Sequence, residues 1–155
     1  MPKSVILTAA ALAAALLTGS QAMSAQPQFY SSAGAKKAGM PFSQAVRVGD
    51  VLYLSGQHGN KPGTMELVDG GMEAQARQTM DNIGAVLKAN GLGFDDVFKC
   101  TVMIADMKKW GDFNKVYVPY FKPDRLPTRS AFGANGLALG AEVELECWAY
   151  AGGRP

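Results

Sequence analysis

The segment that most constrains the fold lies near the C-terminus, where apolar and polar residues alternate strictly over positions 142–149. The two alternating sets are Val143, Leu145, Cys147 and Ala149 on one side and Glu142, Glu144, Glu146 and Trp148 on the other. Successive side chains of a β-strand point to opposite faces of its sheet. The pattern therefore predicts a strand with one face in the core and the other lined by carboxylates.

The composition is that of one globular domain. Of 155 residues, 48% are hydrophobic and 18% are charged, and the formal net charge is +2. A nearly neutral chain lacks the basic surface that attracts nucleic acid or anionic lipid, so neither partner is expected. The single histidine, His58, and the lack of a Cys/His cluster argue against a metal site.

The first 25 residues have the features of a secretory signal peptide. Lys3 precedes an Ala/Leu-rich stretch of 13 residues, 5–17, and small residues follow at Ala22 and Ala25. The stretch is shorter than the roughly 20 apolar residues that a membrane span needs. We expect a signal peptide over residues 1–25, cleaved after Ala22 or Ala25, and a single domain over 26–155 that is periplasmic or secreted. The alternative is a buried N-terminal helix.

Periodicity and turn residues predict the remaining elements. The predicted strands are 29–30, 45–48, 51–55, 66–68 and 97–104, then two strands after Leu126-Pro127. The predicted helices are 73–90 and about 107–120. The order β-β-β-α-β-α-β-β predicts an α/β fold of the α+β kind, a mixed sheet with two helices packed on one face. The other face mixes apolar and polar side chains, so it is expected to meet another subunit.

Two cysteines, Cys100 and Cys147, occupy apolar positions of predicted strands. An exported protein folds where disulfides are allowed. A Cys100–Cys147 disulfide and two unpaired core thiols both fit the sequence.

Arg129 and the glutamates of the last strand are the candidates for chemistry. A guanidinium offers a rigid fork of donors for a carboxylate or phosphate, and it stays charged. A carboxylate across a small gap could hold or activate a water. The alternatives are an ion pair between Arg129 and a glutamate, and glutamates that are simply solvated.

Five short segments stand in the order typical of one protein family. They are Pro41-Phe42-Ser43-Gln44-Ala45-Val46, Ser55-Gly56-Gln57, Gln75-Ala76-Arg77-Gln78 with Asp81-Asn82, Asn114-Lys115-Val116-Tyr117 and Pro127-Thr128-Arg129-Ser130. Over residues 29–150 the chain resembles the RidA/YjgF family of reactive-intermediate deaminases, which also carries the name endoribonuclease L-PSP.

The resemblance implies a chorismate-mutase-like fold that forms a homotrimer, with pockets at the subunit interfaces. It also implies hydrolysis of small 2-imino or 2-enamino acids to 2-keto acids and ammonia, without a cofactor. The alternative is a non-catalytic trimer that binds small carboxylates or acts as a chaperone-like module. Ribonuclease activity is disfavoured by the near-zero charge.

The resemblance also assigns the site. Arg129 would hold the substrate carboxylate and Glu144 would orient the attacking water. The backbone around Gly56 would contact the substrate nitrogen, and Asn114 would support the rim. The other expected lining residues are Phe42, Ser55, Gln57, His58 and Ala131. Gly56 could instead be a glycine that needs unusual dihedral angles.

Three positions depart from the family pattern. Phe42 stands where tyrosine is usual, Ala131 where some members have cysteine, and His58 where an aliphatic residue is usual. His58 is either a titratable group in the pocket or a structural or surface residue.

Overall fold

The computed structural model describes residues 26–152, so the predicted signal peptide lies outside the described residues. The strands are β1 (Gln28–Tyr30), β2 (Ala45–Val48), β3 (Val51–Leu54), β4 (Gln57–His58), β5 (Val97–Ile104), β6 (Thr128–Gly133) and β7 (Val143–Tyr150). The α-helices are α1 (Ala33–Lys37), α2 (Gly71–Ala89) and α3 (Trp110–Tyr117). Over the described part of the chain, no helix is both long and apolar enough to span a bilayer.

The strands form one mixed sheet in the order β1-β2-β3-β7-β5-β6, and β4 also pairs with β7. Only the β5–β6 pair is parallel among these described strands. The β2–β3 hairpin turns at Gly49-Asp50, as predicted. Gly49 has a φ of 57°, which explains why glycine takes the first turn position here.

The alternation that predicted the last strand is confirmed. Val143, Leu145, Cys147 and Ala149 are fully buried, while the alternating glutamates are only half-buried. The long helices α2 and α3 cover the apolar face, α2 packs on β4 and β7, and both helices contact each other. The predicted mixed sheet with two helices on one face is therefore confirmed, and the opposite face is left uncovered within the chain.

The helix boundaries differ from the prediction in understandable ways. Helix α2 begins at Gly71, two residues early, because Gly70 and Gly71 adopt positive φ values of 108° and 72° that turn the chain into it. The second predicted helix is divided into α3 and two flanking 3₁₀ turns, Met107–Lys109 and Val118–Tyr120. Pro119 removes a backbone donor and so favours the tighter turn.

Two local predictions were wrong. Segment 66–68 is not a strand, because Leu67 makes a single antiparallel bridge with Asn60. Helix α1 lies where a loop was predicted. It is little more than one turn long, and it is capped by Ser32, whose side-chain oxygen accepts a hydrogen bond from the Ala35 backbone N–H.

The structure resolves the open question of the cysteines. Cys100 of β5 lies directly opposite Cys147 of β7, and their sulfur atoms are bonded at 2.08 Å. Both residues are buried in the core. The disulfide joins the two longest strands and closes a loop of 47 residues.

We expect the double variant Cys100→Ala/Cys147→Ala to lose about 2–4 kcal/mol of its free energy of unfolding, because the disulfide restricts the unfolded chain. Urea unfolding with and without dithiothreitol measures this loss. The reductant should lower the midpoint of the parent protein and leave that of the double variant unchanged. Equal midpoints for the parent under both conditions would mean that the two thiols are not bonded.

Candidate functional site

Glu144 lies on β7 opposite His58 of β4, and the two side chains are paired. The distance from Glu144 Oε2 to His58 Nε2 is 3.1 Å. A carboxylate only accepts hydrogen bonds, so Nε2 of the imidazole is the donor. The Asn82 side chain of α2 donates to the His58 main-chain carbonyl at 2.9 Å. His58 is thus tied to α2 and holds one oxygen of Glu144 in place.

The other oxygen of Glu144 lies over Gly56. A Cβ atom added to Gly56 would lie 1.9 Å from Glu144 Oε1, far inside any van der Waals contact. Gly56 is not among the described glycines with positive φ. The interpretation that unusual dihedral angles require this glycine was therefore wrong. Glycine is needed here because the carboxylate occupies the space that a side chain would fill.

The three glutamates of β7 have distinct partners, which separates Glu144 from its neighbours. Glu142 Oε1 accepts a hydrogen bond from Lys109 Nζ at 2.8 Å. Glu146 Oε1 accepts one from the indole nitrogen of Trp148 at 3.0 Å. Only Glu144, of these three, contacts the segment around Gly56. Glu144 therefore remains the candidate carboxylate.

A cavity of about 240 Å³ opens beside this carboxylate. Gly56 and His58 line it together with Phe42 and Gln57. Ser55 does not line it, and its hydroxyl donates to the Ser43 carbonyl at 2.7 Å. Ser55 therefore fixes the approach to the cavity. Among residues 26–152, no three His, Cys, Asp or Glu side chains are grouped closely enough to hold a metal ion.

Arg129 lies on β6 against α3. Its guanidinium stacks over the rings of Trp110 and Tyr117, with 4.5 and 4.8 Å to the ring centroids. Its Nη1 donates to Asn114 Oδ1 at 2.8 Å. Within the described chain no carboxylate pairs with it, which excludes an ion pair with a glutamate of the same chain. The guanidinium is held in place while its charge stays available to an anion.

The Tyr117 hydroxyl beside Arg129 stays neutral. It has no hydrogen-bond partner among the described residues. Burial raises the pKa of Tyr117 to about 12, and the Arg129 charge offsets part of that rise. Tyr117 thus presents an uncharged ring at neutral pH and leaves the charge of Arg129 uncompensated.

Arg129 and Glu144 lie on opposite faces of the sheet. Arg129 pairs with Cys100, a buried residue on the helix-covered face, whereas Glu144 pairs with Met103 on the other face. Ala131 follows two residues after Arg129 on the same face and is exposed. The predicted site residues therefore form two groups within one chain. We name them the carboxylate half-site (Phe42, Gly56, Gln57, His58, Glu144) and the arginine half-site (Asn114, Arg129, Ala131).

Trp110 and Tyr117 were not among the predicted site residues, and they also belong to the core: Tyr117 lies within it and Trp110 packs against it. Their spacing with Asn114 carried a signal. Positions 110, 114 and 117 fall on one face of a helix, so all three can contact one side chain. They do so at Arg129.

A protein-family comparison matches residues 33–151 to the family described as Endoribonuclease L-PSP. The 2-iminobutanoate/2-iminopropanoate deaminase of Mus musculus is 43% identical over 112 residues, which cover 72% of this chain and 82% of that protein. The same-named protein of Bos taurus is 42% identical over 122 residues, covering 79% and 88%.

Solved structures agree with this match. A member of the conserved Rid protein family from Yersinia pestis superposes with a TM-score of 0.75 at 35% identity, covering 81% of this chain and 99% of that one. RidA from an Antarctic Psychrobacter gives 0.67 at 39% identity, covering 71% and 88%. The chain therefore belongs to the endoribonuclease L-PSP family, the RidA/YjgF proteins.

Proposed function

We propose that this protein is a cofactor-independent deaminase that hydrolyses 2-imino or 2-enamino acids to 2-keto acids and ammonia. The observation that carries the proposal is the Glu144 carboxylate, fixed by His58 and left with one oxygen over the bare backbone of Gly56. An uncompensated, pre-oriented Arg129 supplies the anion-binding group. The names of the mammalian relatives support this reaction class.

The active site is proposed to form between the subunits of a homotrimer. The two half-sites lie on opposite faces of one sheet, so the two half-sites of one chain cannot both contact the same small molecule. All six residues of β6 are exposed within the chain, as are Tyr53 and Phe98 on the uncovered face. A neighbouring subunit would cover these surfaces and bring its own Arg129 to the Glu144 of the first. Rotational symmetry would then create three equivalent sites.

In this arrangement Arg129 forms a two-point, charge-assisted contact with the substrate carboxylate. Glu144 Oε1 accepts a proton from a water whose oxygen attacks the imine carbon, which gives a carbinolamine. That proton passes to the nitrogen as the C=N double bond opens. The hydroxyl proton of the carbinolamine then passes to the same nitrogen, so that ammonia leaves as the C–N bond breaks and the C=O bond forms. Most of the acceleration comes from holding the water and the imine carbon in contact.

The test is release of 2-keto acid by the purified protein from imino acids that an amino-acid oxidase generates in situ. The parent protein should accelerate release, and Glu144→Gln should lose most of the acceleration because a neutral amide cannot take the proton. Glu146→Gln is the matched control, since Glu146 hydrogen-bonds Trp148 instead. No acceleration by the parent across many imino acids would indicate the alternative, a non-catalytic trimer that binds small carboxylates or client proteins.

Gly56→Ala should lower kcat about 100-fold while the stability changes little. The new methyl group must displace the Glu144 carboxylate, and a shift of about 1 Å at a reacting group can cost that factor. The displaced atoms end a flexible side chain, so the fold can adapt. Keto-acid release and urea unfolding measure the two effects. Gly93→Ala, at a glycine with no atom within 4 Å of the added carbon, is the control. Equal rates for both variants would contradict the role of Gly56.

We further propose that residues 1–25 are a signal peptide and that the mature single domain, 26–155, is periplasmic or secreted. The Cys100–Cys147 disulfide supports an oxidising compartment. N-terminal sequencing of the exported protein should give a chain that begins at Met23 or Gln26. A protein that stays in the cytoplasm with residue 1 intact would contradict this proposal.

A further inference from the structure

The cavity beside Glu144 is much larger than a small imino acid requires. It has a volume of about 240 Å³ and is open to solvent on one side, where Phe42, Met65 and Leu139 of its lining are about half exposed. The methyl or ethyl group of the substrates in the mammalian relatives' names would fill a small part of it. A larger substituent is needed to displace its water and gain contacts with its walls.

The walls are mainly apolar. Nine apolar side chains from four parts of the chain converge on the cavity: Ala35, Met40, Phe42, Pro62, Met65, Ala85, Val86, Ala138 and Leu139. Among the described lining residues, none is Asp, Glu, Lys or Arg. A charged group that extends among these apolar walls would lose part of its hydration, and no Asp, Glu, Lys or Arg of the described lining would compensate it.

The amide side chains in the lining are engaged with the protein itself. Gln44 Oε1 accepts a hydrogen bond from the Ser32 backbone N–H at 2.9 Å. Asn60 Nδ2 donates to the Thr64 carbonyl at 2.8 Å. Asn82 Nδ2 donates to the carbonyls of His58 and Asn60, both at 2.9 Å. These bonds hold the amides in place as parts of a wall that is mainly apolar.

Leu139 contributes to the wall from a strained backbone. Its φ of 62° and ψ of 8° lie in the left-handed region, which residues other than glycine seldom adopt. It is the only described non-glycine residue with positive φ. Strain of this kind persists only where the surrounding structure enforces it, and it is concentrated at active sites and ligand-binding sites. Here the leucine side chain lines the cavity.

We infer that this cavity binds the side chain of the substrate and selects 2-imino acids with bulky, uncharged, apolar side chains. The inference rests on the proposed function. Gly56 and His58 belong both to the cavity lining and to the surroundings of the Glu144 carboxylate. A substrate whose imine carbon lies at Glu144 therefore extends its side chain toward Phe42, Met65 and Leu139.

The test compares kcat/KM for imino acids made from alanine, 2-aminobutyrate, leucine, methionine, phenylalanine, glutamate and lysine. The imino acids made from leucine, methionine and phenylalanine should be favoured over that from alanine by about tenfold or more, since one methylene group in an apolar pocket is worth about tenfold or more. The imino acids made from glutamate and lysine should be the poorest substrates. Preference for alanine or for a charged side chain would overturn the inference.

A variant that fills the cavity gives the sharper result. Ala85 of α2 lines the cavity, and Leu is nearly as good a helix former as Ala. We compare kcat/KM for the imino acid made from leucine with kcat/KM for the imino acid made from alanine. Ala85→Leu should lower this ratio by about tenfold. Ala89→Leu is the matched control, because Ala85 and Ala89 are both exposed alanines of the same helix and only Ala85 lines the cavity. An equal ratio in both variants would overturn the inference.

Binding of the keto-acid products separates this inference from the proposed function. Calorimetric titration should show tighter binding of 4-methyl-2-oxopentanoate than of pyruvate, and Ala85→Leu should reduce the difference. That result without any turnover would retain the cavity assignment and reject the deaminase. Turnover with the two keto acids bound equally would retain the deaminase and reject the cavity as a side-chain site.

Discussion

Arg129→Ala should lower kcat/KM for keto-acid release by about two to three orders of magnitude. Loss of one partner from a desolvated charge pair typically costs about 2–5 kcal/mol, which corresponds to this factor. Within the described chain no other cation contacts Asn114 and the Trp110 and Tyr117 rings at this place, so nothing can replace the guanidinium. The substrate carboxylate would then be left unpaired.

The fold should survive this substitution. Arg129 is exposed on an edge strand, and its stacking on Trp110 and Tyr117 contributes only about 0.5–1 kcal/mol at such a site. Arg129→Lys should recover a small part of the rate, since an ammonium retains the charge and loses the two-point geometry. Arg125→Ala is the matched control. It removes an exposed arginine that hydrogen-bonds the Asp95 carbonyl, well outside either half-site.

Kinetics at saturating substrate separate binding from chemistry. If Arg129 only anchors the carboxylate, KM rises and kcat changes little; if it also places the imine carbon against the water, kcat falls as well. Normal turnover by Arg129→Ala with an intact oligomer would show that the anion-binding group lies elsewhere.

Much of the fold could be predicted because local patterns agreed with the final packing. The alternation over 142–149 placed Val143 and its partners in the core and left Glu144 on the other face. The helical period over 73–90 predicted α2, whose buried face includes Met80 and Ile83. Segment 66–68 was wrongly predicted to be a strand. Its apolar residues favour a strand, but the segment pairs with its neighbour through one bridge only, between Asn60 and Leu67.

The site could be predicted only as a set of residues. The separation of Arg129 from Glu144 depends on the parallel β5–β6 pairing, which is a tertiary fact that no local pattern carries. The His58–Glu144 pair likewise arises from the short β4–β7 ladder. Gly56 shows the same limit. The sequence contains a glycine, and only the structure reveals that a carboxylate takes the space of its side chain.

Two inactive variants should restore activity when they are assembled together. Arg129→Ala retains an intact carboxylate half-site, and Glu144→Gln retains an intact arginine half-site. If each active site takes one half-site from each of two neighbouring subunits, a hybrid trimer contains one site with both groups intact. Random assembly from equal amounts gives each site a chance of one half for either group, so about a quarter of the parent activity should return.

The experiment uses co-refolding from denaturant without reductant, so that the Cys100–Cys147 bond within each chain is kept. Arg129→Ala mixed with the double variant Arg129→Ala/Glu144→Gln is the control, and it should recover nothing because no subunit supplies an arginine. Mass spectrometry of the intact assemblies verifies that hybrids form. Hybrids without activity would mean that both groups must come from the same chain. That requirement conflicts with their positions on opposite faces of the sheet, so the assignment of one of the two residues would then have to be given up.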